Sequence, residues 1–85
     1  MKTFSIAVVS PEEMLYEGDA EEAVVPGKEG TMSILSRHAP LLAALRKGTV
    51  RILTGSKEEK FEITSGFVEV SKKDASFVNV FVRKA

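Results

Sequence analysis

Residues 77–82 read FVNVFV, a run in which apolar side chains recur with a period of two. The three valines occupy one set of alternate positions, and Phe77 and Phe81 lie in the other set. Successive side chains of an extended chain point to opposite faces, so this period is typical of a β-strand. Because both faces carry large apolar side chains, we expect the strand to be buried on both sides within the domain. The alternative is that its second face docks a partner or a segment outside this chain.

The same period recurs through most of the chain, at Phe4, Ile6 and Val8 and again at Val50 and Ile52. Clusters rich in glycine, proline, serine and aspartate separate these runs and are typical of turns. We therefore predict an all-β domain, a flattened β-sandwich or barrel of about eight to ten short strands. The strands are expected near residues 3–9, 14–18, 20–25, 31–35, 41–46, 49–54, 59–64, 67–71 and 76–83.

The chain has 85 residues, which is short for two ordinary domains, so we expect one domain over residues 1–85. Its 12 basic and 12 acidic side chains give a formal net charge of zero, which argues against a general binder of nucleic acid or membrane surfaces. The absence of cysteine excludes disulfides, thiolate zinc sites and iron–sulfur clusters. Since the N-terminus has no apolar run of signal-peptide length, we expect a chain that is not exported.

No group of residues has a spacing typical of a catalytic or metal site. The single histidine, His38, leaves no second imidazole for a zinc site, and the nearby serines lack the Gly-x-Ser-x-Gly pattern of a nucleophile. The sequence GKEG at residues 27–30 lacks the phosphate-loop pattern and is typical of a tight exposed turn. The adjacent acids of Glu12-Glu13 and Glu21-Glu22 point to opposite faces of a strand. We therefore predict a protein that is not an enzyme and has neither a metal nor a cofactor.

Five segments are more informative together than any of them is alone. They are VVSPE at residues 8–12, GKEG at 27–30, HAPLL at 38–42, GTVRI at 48–52 and SGFVEV at 65–70. In order and spacing, the chain closely resembles the N-terminal domain of the F-type ATP synthase epsilon subunit. The resemblance covers essentially all 85 residues. Its most specific parts are the HAPLL segment and the glycine loop before it.

The resemblance implies a non-catalytic rotor subunit of the central stalk, which couples the gamma subunit to the membrane c-ring in proton-driven ATP synthesis. It also implies a location at the cytoplasmic face of the bacterial inner membrane, with membrane association only through the complex. Matched position by position, the family's gamma contacts correspond to Ser10, His38, Ala39, Leu41 and Leu42, and its c-ring contacts to Glu29, Gly30, Thr31, Met32 and Ser33.

Several positions depart from the residues usual in the family. Thr31 replaces an acid expected near the basic loops of the ring, which leaves Glu29 as the acid of this loop. Ser36-Arg37 replaces Pro-Gly and Ser65-Gly66 replaces Gly-Gly, so we expect altered turns at both places. The sequence ends at Ala85, directly after the last predicted strand. We therefore expect it to lack the family's inhibitory helical hairpin and the ATP site that some members have there.

The alternative function is that of a small β-barrel that binds single-stranded nucleic acid. Such barrels stack bases on exposed aromatic rings beside basic residues. Phe77, Phe81 and Arg83 share one strand face, and Lys72-Lys73 adds positive charge nearby. The zero net charge and the six aromatic side chains of the whole chain argue against this alternative.

Overall fold

The computed structural model describes residues 2–71 and 77–85, and these residues form eight β-strands. All regular structure among them is extended, which confirms the all-β prediction and the number of strands. Within the described residues, no helix has the length and apolar character needed to cross a membrane. In chain order, the strands are β1 (Phe4–Val9), β2 (Met14–Ala20), β3 (Glu22–Gly27), β4 (Gly30–Leu35), β5 (Leu41–Leu45), β6 (Gly48–Thr54), β7 (Lys57–Val70) and β8 (Phe77–Lys84).

The strands form two layers that share β7. The order is β2-β1-β8-β7-β5 in the five-stranded layer and β4-β3-β6-β7 in the four-stranded layer. β1 and β8 pair in parallel, and the other pairings between described strands are antiparallel. The layers also meet where Gly27 pairs with Leu45 and where the Glu21 amide donates to the Leu53 carbonyl. The result is the flattened β-sandwich that the alternating pattern predicts.

The core lies between the two layers and is aliphatic, with one aromatic ring at Phe4. Each strand contributes alternate side chains to it, because a strand with one wet face buries every second residue. The alternating runs in β1, β6 and β8 all have their predicted inward residues buried. The buried core side chains are Phe4, Ile6, Val8, Ala20, Ala23, Val25, Ile34, Leu45, Val50, Ile52, Ile63, Val68, Val70, Val78, Val80 and Val82.

β7 corrects two predictions from the sequence, because residues 59–64 and 67–71 were expected to be separate strands. Instead they form one strand of 14 residues. Ile63 pairs with Lys84 and Ser65 pairs with Arg83, so Thr64 is an extra residue in the ladder, a β-bulge. A bulge bends a strand without ending it, and the altered turn expected at Ser65-Gly66 is therefore a bend inside β7.

Gly66 lies just after this bulge, where β7 passes very close to β8. A Cβ atom at this position would lie 2.2 Å from the carbonyl oxygen of Phe81 and 3.0 Å from the Cα atom of Val82. Both atoms belong to the backbone of a central strand, so neither can turn aside as a side-chain end can. Only glycine fits here without a shift of the β7–β8 ladder.

We predict that Gly66→Ala lowers the free energy of unfolding by roughly 1–3 kcal/mol, the usual cost of forcing atoms into a packed interior. Equilibrium urea unfolding measures this loss. Gly18→Ala is the matched control, since its new Cβ would meet only the Tyr16 side chain at ordinary contact distance, 3.5 Å or more. We expect that control to change the free energy by about 0.5 kcal/mol or less. Equal losses in the two variants would contradict the close approach at Gly66.

Candidate partner-binding surface

The two outer faces of the sandwich differ in chemistry, and the face of the four-stranded layer is polar. Across its β6–β7 ladder, the Thr49 hydroxyl donates a 2.7 Å hydrogen bond to the Glu62 carboxylate. Arg51 forms an ion pair with Glu58, and this hydrogen-bonded guanidinium lowers the pKa of the Glu58 carboxyl. Paired charges and hydroxyls of this kind are well solvated, and the large apolar side chain exposed on this layer is Leu35, at the end of β4.

The outer face of the five-stranded layer carries an apolar row that crosses every strand of the layer. The register places Met14 beside Val9, Val9 beside Phe81, Phe81 beside Phe67 and Phe67 beside Ala44. We call these five residues the apolar row. The rings of Phe67 and Phe81 are 5.0 Å apart between centroids, at an interplanar angle of 34°. Side chains directly opposite across strands pack against one another, so the row is one continuous surface.

This surface corrects the prediction that β8 is buried on both sides within the domain. Its valines are buried, but Phe77 keeps 40% of its surface exposed and Phe81 is only half-buried. Phe67, beside Phe81, is 45% exposed. The cause is topological: the five-stranded layer has the core on one side, and none of the described strands packs on the other side. The alternative reading, that the second face of β8 docks a partner, fits the structure.

A groove of about 570 Å³ lies over the middle of the apolar row. Phe67 and Phe81 line it together with Val9 and Ala44, and Pro11 also borders it. Apolar atoms predominate in this lining, and the groove is open to solvent. Grooves of this size with aromatic walls are typical of binding sites for small ligands or for inserted side chains of a partner.

Of the predicted gamma-subunit contacts, Ser10 borders this groove, but its side chain is buried. The Ser10 hydroxyl donates to the Glu13 carbonyl at 3.1 Å and accepts a hydrogen bond from the Glu13 amide at 3.2 Å. These bonds close the turn between β1 and β2 and fix Pro11 beside the groove. Ser10 therefore shapes the surface and leaves little of its own side chain for contact.

The predicted contacts on β5 divide between its two faces. Leu42 is 70% exposed on the outer face, whereas Leu41 is half-buried against the core. Ala44, one position along the same face from Leu42, belongs to the apolar row. Leu42 thus extends the apolar surface along β5.

His38 and Ala39 lie in the loop between β4 and β5. The His38 amide donates to the Leu35 carbonyl, and the ring donates from Nδ1 to the Ala39 carbonyl at 2.7 Å. The preceding residue, Arg37, has φ = 67°, the left-handed conformation that favours glycine. The altered turn expected at Ser36-Arg37 therefore keeps a left-handed residue, but that residue is arginine instead of the glycine usual in the family.

We predict that Arg37→Val lowers the free energy of unfolding by about 1 kcal/mol or more relative to Arg37→Gly. A β-branched residue is strongly disfavoured in the left-handed region, whereas glycine adopts it freely. Thermal and urea unfolding of the two variants measure the difference. If the two variants were equally stable, the left-handed conformation at this position would be wrong.

The predicted c-ring contacts lie at and beyond the turn between β3 and β4. Glu29 lies at its exposed tip, and Gly30, the first residue of β4, is also exposed and has φ = 137°. Thr31 and Ser33 are exposed on the outer face of the four-stranded layer, but Met32 points inward and packs against the core. The structure therefore exposes four of these residues and half-buries the fifth, Met32.

A second groove, of about 480 Å³, connects the two predicted contact regions. Its lining includes Leu42 and Ala44 from β5 together with Glu29 and Met32 from the β3–β4 hairpin. The Lys28 amide donates a 2.9 Å hydrogen bond to the Ala44 carbonyl, which fixes the turn against β5. Residues predicted to contact the gamma subunit and residues predicted to contact the c-ring thus lie along the same edge of the sandwich.

The residues that sequence reasoning missed are Met14, Val9, Phe67 and Ala44. Each is ordinary in its own segment, and only the pairing register of five strands places them in line with Phe81. A period of two indicates which face a residue occupies within its own strand, but it carries no information about the level of the neighbouring strand. Among residues 2–71 and 77–85, no three acidic or histidine side chains converge in a way that could hold a metal ion.

A small sandwich with one mainly polar outer face and one apolar, grooved outer face is typical of domains that dock on other proteins. The chain belongs to the family of ATP synthase delta/epsilon chain β-sandwich domains, whose family model matches residues 3–85. This result confirms the resemblance inferred from the five sequence segments.

Curated relatives and solved structures agree with this assignment. The ATP synthase epsilon chain of Rhodopseudomonas palustris is 38% identical over 86% of this chain, and the match covers 54% of that relative. The epsilon chain of Chlorobium limicola is 40% identical over 87% of this chain, and the match covers 85% of that relative. The chain thus spans about half the length of the first relative and most of the second.

The same fold occurs in chains of two assemblies solved by cryo-electron microscopy. A chain of the Euglena gracilis mitochondrial ATP synthase, an OSCP/F1/c-ring assembly, superposes over 94% of this chain and 50% of its own length, with a TM-score of 0.84 and 18% identity. A chain of the Tetrahymena thermophila mitochondrial ATP synthase central stalk and c-ring superposes over 98% of this chain and 65% of its own length, with a TM-score of 0.78 and 16% identity. At these identities the likeness concerns the fold alone.

Proposed function

We propose that the chain is a non-catalytic part of the central stalk of a rotary ATP synthase, where it couples the gamma subunit to the membrane c-ring. The observation that carries this proposal is the exposed apolar row on a domain of the ATP synthase delta/epsilon family. Isolated small domains seldom leave a continuous apolar strip of this kind uncovered unless it docks on another protein. Association with the membrane would then be through the complex, at the cytoplasmic face of the bacterial inner membrane.

The gamma subunit is the proposed occupant of the apolar row and the adjacent Leu42. A stable interface covers on the order of 800 Å² on each partner. The chain exposes 5208 Å² in total, so such an interface would cover about 15% of its surface. Aromatic side chains in the middle of an interface contribute most of its binding energy, and Phe67 and Phe81 occupy that position here.

The c-ring is the proposed partner of the β3–β4 turn, with Glu29 at its tip. Thr31 has a hydroxyl where the family usually has an acid. Glu29 is therefore the residue of this turn that would attract the basic loops of the ring. The Lys28 amide holds this turn directly against β5, on which Leu42 and Ala44 belong to the gamma-facing surface. Force between the two partners would therefore pass through one short, hydrogen-bonded edge of the sandwich. We propose no ATP site in the sandwich, and its affinity for gamma should not depend on ATP.

We predict that Phe67→Ala weakens binding to the cognate gamma subunit by about 2 kcal/mol, roughly 30-fold in Kd, because truncation of a central aromatic anchor costs this much. Isothermal titration calorimetry of the purified proteins, with and without ATP, measures the affinity. The control is Leu35→Ala, which truncates a 54% exposed apolar side chain on the other layer. That control should bind gamma within about twofold of the unchanged protein.

Two results would count against this proposal. If Phe67→Ala bound gamma as tightly as Leu35→Ala does, gamma would use a surface other than the apolar row. If the unchanged protein failed to bind gamma at micromolar concentration, the rotor assignment itself would be wrong.

The second candidate function, binding of single-stranded nucleic acid, keeps one structural argument. Phe77 and Phe81 lie on the same open face as Arg83, as base stacking requires. The Lys72-Lys73 pair lies outside the described residues. A gel shift with single-stranded DNA that weakens steeply with salt would support this candidate, and no shift at low salt would dismiss it.

A further inference from the structure

The apolar row is bordered by opposite charges on its two sides. On one side lie Lys28 and Arg83, the charged residues that line the 570 Å³ groove. On the other side the register places Glu69 two positions along β7 from Phe67, and Glu17 opposite Ala7, two positions along β1 from Val9. All four charged residues are exposed. None of them has an ion-pair partner among residues 2–71 and 77–85.

The directions of the strands explain why the like charges lie together. β1 and β8 are parallel, and β5 runs in the same direction because both β5 and β8 are antiparallel to β7. Lys28 and Arg83 therefore lie at the end of the layer where β5 and β8 finish. β2 and β7 run in the opposite direction, so Glu17 and Glu69, which come after Met14 and Phe67 in the chain, lie farther from that end. The apolar row runs between the two pairs.

The shape of the row favours a helix as its occupant. Five strands at ~4.8 Å spacing give a row about 19 Å long, perpendicular to the strands. An α-helix of about 13 residues has this length at 1.5 Å per residue. An added partner strand would hydrogen-bond to a free edge of the sheet instead of crossing its face. A single small ligand in the groove would leave Met14, at the end of the row, uncovered.

We propose that the apolar row receives an amphipathic helix of a partner polypeptide, with an apolar stripe between one acidic and one basic flank. The acidic flank faces Lys28 and Arg83, and the basic flank faces Glu17 and Glu69. The inference rests on the proposed function and extends it. It specifies that the gamma segment docked there is an amphipathic helix, and which side of that helix faces each pair of charges. Unpaired charges at the rim of an apolar contact fix orientation and speed association more than they add affinity.

The test inverts both flanks without changing net charge. The quadruple variant Lys28→Glu, Arg83→Glu, Glu17→Lys and Glu69→Lys exchanges the two signs across the row. Its control is Arg51→Glu with Glu58→Arg, which exchanges the partners of the ion pair on the polar face. Both variants keep the formal net charge at zero, so a change that only the quadruple variant produces cannot arise from overall charge.

We expect the quadruple variant to bind the cognate gamma subunit about tenfold or more weakly than the unchanged protein, chiefly through slower association. Raising the salt concentration from about 50 to about 500 mM should bring the Kd values of the quadruple variant and the unchanged protein closer together, because salt screens charges at the rim of an interface. The control should stay within about twofold in Kd. Stopped-flow fluorescence measures the association rate, and urea unfolding checks that both variants fold.

Three results would overturn the inference. If the quadruple variant bound gamma normally while Phe67→Ala bound it weakly, gamma would dock on the apolar row without contacting the four charged residues. The inference would then be wrong, and the proposed function would stand. If neither change weakened binding, the row would not be the gamma surface at all. If sedimentation of the chain alone showed a dimer that the quadruple variant disrupts, the occupant of the row would be a second copy of the chain.

Discussion

The structure depends on β7, the strand that belongs to both layers. Its first half pairs with β6, and its second half lies between β5 and β8. One continuous strand therefore joins the two layers at this corner. The bulge at Thr64 and the missing side chain at Gly66 permit the bend, because the backbone of β8 leaves no room for a Cβ atom there. A small domain without disulfides has few other ways to hold two layers in a fixed relation.

This corner also positions the partner-binding surface. The second half of β7 begins at the bend and immediately carries Phe67 to the outer face, opposite Phe81 and Ala44. Because the core fills only one side of the five-stranded layer, the aromatic pair stays exposed. The four-stranded layer instead carries the Arg51–Glu58 ion pair on its outer face. The domain therefore has one apolar outer side and one well-solvated outer side.

The alternation of apolar residues was sufficient to predict the class of fold, the approximate strands and the inward side chains of β1, β6 and β8. It failed at β7, since a bulge and a turn both interrupt the alternation, and only contact with β8 distinguishes them. It also failed for the outer face of β8, where a period of two indicates an apolar face but cannot tell whether the domain covers it. The apolar row itself depends on the register among five strands, which lies outside any single segment. Family resemblance pointed to Ser10 and Leu42 at its border and not to Phe67 in its centre.

Amide chemical-shift mapping of the isotope-labelled chain with unlabelled cognate gamma subunit tests the central claim most directly. We predict that the largest shifts fall on β8, on residues 66–70 of β7 and on β5, with little change at Thr49, Arg51 and Glu62. Shifts concentrated on the Thr49–Glu62 face, with Phe67 and Phe81 unaffected, would contradict the account.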